Sequence, residues 1–266
     1  DKAHIVINIL YIEFYIRISL KYIMIIWLAS YPKSGNTFLR SLLTSYFYSQ
    51  DGNFNFSLLK ETNQFPDKNI FSRLGVDIKD NYKVAENYLK AQEEINKSNK
   101  LELLKTHSSF CKMYNKFNFS SPNTSLGVIY IVRDPRNVLL SFARHNSQTV
   151  SDTFDLMINE KTIGNEKDQP EVYMGSWSFH FNSWKVYQKQ KKYFLVKYED
   201  LISKKKTVLL RIFKFLNSLG MKFEIDMVKL NKAIKTTEFE NMKKKEKNEI
   251  FYEAPLDIIN NKRKFF

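Results

Sequence analysis

Four stretches of this chain place ion-binding or proton-accepting side chains directly after a short apolar run. "WLASYPKSGNTF" sets Lys33, Ser34, Gly35, Asn36 and Thr37 between such a run and an amphipathic segment. "KLELLKTHSS" leads into Lys105 and His107, "LGVIYIVRDPRN" into Arg133, and "YFLVKYEDL" into Tyr198. In the first stretch Gly35 lets the backbone turn and approach a ligand. The amides of Ser34 to Thr37 then fall at the amino end of a helix, where unpaired N–H groups and the helix dipole favour an anion. Lys33 adds a mobile cation and Thr37 a hydroxyl. The lysine precedes the glycine, so this is not the GxxxxGK(S/T) loop of ATPases, and an ordinary strand–helix turn with an exposed lysine carries similar letters. His107, with an ordinary pKa near ~6.5, is suited to take up a proton close to neutrality.

Elements of defined kinds must position these groups. The apolar runs are near-continuous and alternate with helical patterns, which predicts an α/β domain whose central, mostly parallel sheet has helices on both faces. Phe38, Leu39, Leu42, Leu43, Tyr46 and Phe47 recur at helical spacing after the first run. Asp134 or the Pro135 turn starts a helix after the third, and Gly220 ends the helix after the fourth. Between the third and fourth strands, "GSWSFHFNSWKVYQKQ" reads as a helix with Trp177, Phe181, Trp184 and Tyr187 as its buried stripe. In such sheets ligands lie beyond the carboxyl ends of the strands, so Lys33, Lys105 and Arg133 bring three cations from three strands to one crevice. The segments 52–99 and 148–175 are polar, dotted with aromatics and weakly periodic, which predicts long irregular connections acting as lids or substrate loops. Phe54, Phe56, Phe65 and Phe71 fit either an apolar acceptor pocket or the core.

The chain has 266 residues, 43% of them hydrophobic and 15% aromatic, enough for one complete core and contrary to general disorder. With 42 basic and 28 acidic residues its net charge is +14. That balance favours anionic partners, although lysines scattered over polar segments such as "NMKKKEKNE" explain it equally well. One cysteine, Cys111, excludes an intrachain disulfide and a Cys-rich zinc site, reads as a small buried thiol, and makes the cytoplasm the expected compartment. Residues 1–23 are apolar but interrupted by Glu13, Arg17 and Lys21, so no uncharged stretch approaches the ~20 residues of a membrane span. They are expected to form an extension outside the folded domain, with Met24 as the natural start and 24–266 as a single domain. The four histidines are dispersed and no metal site is expected.

"YPKSGNTF" resembles the 5′-phosphosulfate loop of the sulfotransferases that use 3′-phosphoadenosine 5′-phosphosulfate (PAPS), of the cytosolic and bacterial-like type. "LLKTHSSF", "IYIVRDPRNVLLSF", "FLVKYEDL" and "TTEFENMKK" are similar, in order, to that family's further motifs, over about Ile26 to Met242. The resemblance implies a P-loop-type three-layer fold and in-line transfer of a sulfuryl group from PAPS to a hydroxyl or amine acceptor, with PAP as product and no metal. It assigns the 5′-phosphosulfate to Ser34, Gly35, Asn36 and Thr37, the bridging oxygen to Lys33, and the 3′-phosphate to Arg133 with Ser141. The adenine goes to Phe38, Tyr198, Thr237 and Phe239, Phe38 standing where the family often has Trp. His107 corresponds to the general base, with Lys105 beside it. The acceptor implied is a small molecule, lipid or glycan, with no nucleic acid beyond the nucleotide co-substrate.

Two departures qualify the resemblance. The family's late Phe-(Phe/Met)-Arg-Lys-Gly segment is missing, the chain stopping at "NKRKFF": either "KRK" does a shifted version of its job or, the favoured reading, the sequence is truncated with weakened PAPS binding. The dimerisation stretch Lys-x-x-x-Thr-Val-x-x-x-Glu is not evident either, leaving the oligomeric state open. Two other functions compete: a nucleotide kinase with an unusual P-loop, disfavoured because no clear magnesium-holding Asp ends an apolar strand, and a non-catalytic module drawn to anions or nucleic acid by its basic surface, disfavoured because no nucleic-acid-binding motif is recognisable.

Overall fold

The structure, a computed structural model, describes residues 23–249 and 251. The expected extension up to residue 22 and the "NKRKFF" terminus lie outside the described residues. Four strands, β1 (Ile25–Ala29), β2 (Glu102–Thr106), β3 (Gly127–Val132) and β4 (Tyr193–Lys197), form one sheet in the order β2-β1-β3-β4. Every pairing is parallel, with Trp27 opposite Leu104 and Val128, and Tyr130 opposite Leu195. All four carboxyl ends therefore open on one edge, as the sequence predicts.

β1 shows why these runs are apolar throughout. Ile26 and Leu28 join a core on one side of the sheet, while Ile25, Trp27 and Ala29 join a second core on the other. A strand buried on both faces has no polar alternation to display. The first core packs the sheet against α1 (Asn36–Phe47), α9 (Lys205–Ser218) and α10 (Met227–Thr236). The second packs it against α2 (Lys68–Arg73), α3 (Asn81–Glu86), α4 (Tyr88–Asn96) and a 3-10 turn over Trp184–Gln190. A smaller cluster of Tyr31, Val138, Phe142, Met157 and Met174 joins α5 (Pro135–Asn146) and α6 (Val150–Ile158) to the loop after β1.

The segment 52–99, expected to be irregular, is mostly helical: a 3-10 turn over Phe56–Glu61 precedes α2, α3 and α4. Asp67 and Asp80 cap α2 and α3 by accepting the amides of Asn69 and Lys83. Phe54, Phe56, Phe65 and Phe71 are buried in the two cores. The segment 148–175 likewise holds α6 and a hairpin pairing Ile163–Gly164 with Val172–Tyr173. The aromatic helix after it is shorter than expected: α7 (Trp177–Ser183) passes into the 3-10 turn, so Trp184 and Tyr187 are fully buried but Trp177 and Phe181 only half-buried. The residue buried completely in α7 is His180.

Candidate active site

The loop after β1 turns through two left-handed residues, Lys33 (φ 64°) and Gly35 (φ 98°), the latter serving as N-cap of α1 without any side-chain cap. The first amides of α1 have no acceptor within the helix, and Ser34 adds a buried hydroxyl with no hydrogen-bond partner among the described residues. Asn36 works in the opposite direction. Its amide group donates to the Leu28 carbonyl at 2.9 Å and to Ser30 Oγ at 3.2 Å, fastening the start of α1 to the end of β1. Its side chain thus holds the loop in shape, while its backbone amide stands at the amino end of α1. The Lys33 ammonium stands 3.4 Å from His145 Nδ1, in the last turn of α5.

Gly35 has a second reason to be glycine. A Cβ there would stand 2.2 Å from Tyr198 Cδ2, so the tyrosine ring lies directly on the loop backbone. Tyr198 opens α8 (Tyr198–Ser203) at the end of β4. The Arg133 guanidinium lies 4.5 Å from its ring centroid, a cation–π arrangement, and donates to the Lys33 carbonyl at 3.3 Å. Glu199 accepts the Asp134 amide at 3.0 Å, joining the ends of β3 and β4. Asp134 caps α5 and Pro135 takes its first position. Arg136 pairs with Asp134 at 2.6 Å, settling this arginine as part of the helix start; the pair holds the Asp134 carboxyl down at about 2.

His107 lies just past β2, half-buried. Its Nδ1 is 2.8 Å from the Ser30 carbonyl and 3.3 Å from Ser30 Oγ. A carbonyl can only accept, so Nδ1 carries the proton and Nε2 is the acceptor nitrogen of the neutral ring. This is the tautomer that a general base with Nε2 as its basic atom requires. His180 stands behind it, with Nε2 3.1 Å from the His107 carbonyl and Nδ1 2.8 Å from the Tyr130 hydroxyl. Burial pulls the His180 pKa down to about 3.

Lys105, on the same strand, is bracketed by backbone bonds to Asn63 and Phe65. Its side chain lines a cavity of about 240 Å³ together with Arg40, Lys60, Gln64, Phe56 and Phe251. Arg40 is fully buried and donates to Thr62 Oγ1 at 2.7 Å and to the Leu59 carbonyl at 3.0 Å. The apolar pattern of α1 gives no hint of a buried guanidinium there.

Other expected residues sit further out. Phe38 belongs to the first core, against which Tyr198 also packs. Ser141 is half-buried on α5. The Thr237 hydroxyl donates to the Ala233 carbonyl at 2.7 Å, back onto α10. Phe239, in the first turn of α11 (Phe239–Asn248), is 55% exposed with the Lys243 ammonium 5.9 Å from its ring centroid. Burial pushes the Cys111 thiol up to about 11, as suits a structural cysteine. Among the described residues no group of three or more His, Cys, Asp or Glu comes together as a metal site, and no helix is long and apolar enough to cross a membrane.

Residues 25–266 match the profile of the sulfotransferase domain. The fold is similar to that of mouse sulfotransferase SULT7A1 complexed with PAP, with a TM-score of 0.53, 21% identity, and 82% of this chain and 65% of that one covered. It is also similar to retinol dehydratase with androsterone and PAP (TM-score 0.50, 15% identity, 84% and 66% covered) and with retinol and PAP (0.51, 16%, 84% and 67%). The chain thus spans about two thirds of the length of these structures. No curated protein matches it by sequence.

Proposed function

We propose, since this chain belongs to the sulfotransferase domain family, that it moves a sulfuryl group from PAPS to a hydroxyl or amine acceptor, with His107 as general base. The observation that carries this reading is the His107 tautomer. Its Nδ1–H is committed to the Ser30 carbonyl, at the root of the anion loop, so Nε2 is the nitrogen that takes a proton.

The residues fit the nucleotide. A buried Ser34 hydroxyl with no partner among the described residues and a left-handed Gly35 at the start of α1 make a cradle for a phosphate-like group. The Ser34–Thr37 backbone would hold the 5′-phosphosulfate, and Arg133 with Ser141 the 3′-phosphate. Tyr198, Phe38, Thr237 and Phe239 would surround the adenine. When bound, PAPS supplies the activated sulfuryl group. In this reading the chain supplies the proton acceptor at His107 Nε2, and Lys33 and Lys105 would supply positive charge where negative charge grows. A small-molecule, lipid or glycan acceptor and a cytoplasmic compartment complete the proposal, consistent with the retinol and androsterone bound in the retinol dehydratase structures and with the single cysteine here.

Thermal melting with nucleotides tests it. PAP is expected to raise the melting temperature well above any effect of ATP with magnesium, and equal shifts would overturn the reading. Labelled PAPS with a panel of hydroxyl and amine acceptors then identifies the product. His107→Ala is expected to keep the PAP shift and lose transfer by about 10²- to 10⁴-fold; undiminished turnover would remove His107 as the base.

A further inference from the structure

We infer that His180 is a positioning residue for the base, holding the His107 backbone from behind so that the His107 ring keeps its proton on Nδ1. The inference rests on the reading of His107 given above. His180 lies on α7, fully buried, and both its ring nitrogens are engaged. Its Nε2 faces the His107 carbonyl, which only accepts, so Nε2 carries the proton. Its Nδ1 must then accept from the Tyr130 hydroxyl, which rises from the middle of β3. Tyr31 packs edge-on against the same ring at 5.7 Å. Burial holds its pKa down at about 3, so the ring is neutral near neutrality, and its two hydrogen bonds set the tautomer.

The result is one chain of polar contacts across the sheet. Tyr130 on β3 donates to His180, His180 donates to the carbonyl of His107 after β2, and His107 donates to the carbonyl of Ser30 after β1. Ser30 Oγ in turn accepts from Asn36, at the root of the anion loop. The neighbouring residues Ser108 and Phe110 are gripped by the same helix end, through Trp184 Nε1 and Ser183 Oγ. They fix the strand exit in general, whereas His180 takes the carbonyl of the peptide that carries the base, whose N–H, from Ser108, donates to Thr106 Oγ1 at 3.0 Å. A neutral imidazole can donate at one end and accept at the other within a closed apolar space.

The test reads tautomers directly, by long-range ¹H–¹⁵N NMR of the full chain labelled at histidine and saturated with PAP. In the wild type, His180 is expected as the neutral Nε2–H form and His107 as the Nδ1–H form. His180→Leu is expected to leave the PAP melting shift in place but to give His107 a mixture of both tautomers. His180→Gln, whose amide nitrogen can donate in place of Nε2, is expected to restore Nδ1–H. A His107 that keeps its wild-type tautomer in His180→Leu overturns the positioning role alone. A wild-type His107 found as Nε2–H overturns the base reading itself. Where the leucine variant does not fold, Tyr130→Phe carries the test. It removes only the hydroxyl that pins His180 Nδ1, leaving Nε2–H on the His107 carbonyl but loosening the ring, and is expected to give His107 a mixture of both tautomers, an unchanged His107 spectrum overturning the role.

Discussion

The ring of Tyr198 lies so close over Gly35 that a methyl group on residue 35 would stand 2.2 Å from its Cδ2. The Arg133 guanidinium lies over that ring too, 4.5 Å from its centroid, so loop, ring and cation support one another. The strand-end tyrosine thereby sets the shape of a loop more than a hundred and fifty positions before it, and the loop's glycine answers to two constraints at once.

Gly35→Ala meets both constraints. The substituted residue must keep φ near 98° and displace an aromatic ring. A cost of about 1–3 kcal/mol in stability is expected from the backbone alone, together with loss of the PAP melting shift. Calorimetry with and without PAP checks it, and an alanine variant with a wild-type PAP shift would show that the loop does not hold the nucleotide.

Arg133→Lys keeps the charge but loses the planar group that stacks on Tyr198 and reaches the Lys33 carbonyl. Affinity for PAP is expected to fall about 10- to 100-fold, in line with the worth of hydrogen bonds to charged groups. Affinity for AMP, which lacks the 3′-phosphate, should fall much less. Isothermal titration of both nucleotides separates a 3′-phosphate ligand from a residue that only props the loop, since propping would weaken the two equally.

Asn36→Ala removes the donor shared by the Leu28 carbonyl and Ser30 Oγ in a buried place. A loss of about 1–3 kcal/mol is expected, seen as a lower urea midpoint at unchanged slope. An unchanged midpoint would mean that the loop is shaped by something other than this side chain.

His180 gives the protein an acid-side liability. The unfolded chain protonates this ring near the ordinary value of 6.5, while the folded chain cannot until about 3. Between those values the unfolded state binds the extra proton, so stability present above pH 6.5 is lost as the pH falls through the window. Urea midpoints measured across it should decline less steeply in His180→Leu than in the wild type. Parallel declines would place the acid sensitivity elsewhere.

The strands, their parallel pairing and the loop after β1 were legible in the sequence because each is a local signal: an apolar run closed by turn chemistry. The helices of 52–99 were not, because α2 and α3 have six residues each, too few turns for a periodicity to emerge. Their capping residues Asp67 and Asp80 were the available clue. His180 escaped for a different reason. It matters through Tyr130 and His107, distant along the chain, and only the sheet brings the three together. The buried Arg40 is similar, its partners lying on the 3-10 turn and the strand-edge segment after it.

The parallel sheet also dictates when the site can exist. Ile25 pairs with Glu102, Ile26 with Gly127 and Val128 with Tyr193, so no strand of this four-stranded sheet has a partner nearby in the chain. Such long-range closure makes folding slow and leaves strands transiently unpaired. As the polypeptide leaves the ribosome, the loop emerges well before Tyr198, 163 positions after Gly35, so it must wait for the ring that closes on it. A nascent chain halted before that point carries His107 and the loop but lacks the ring that closes on Gly35.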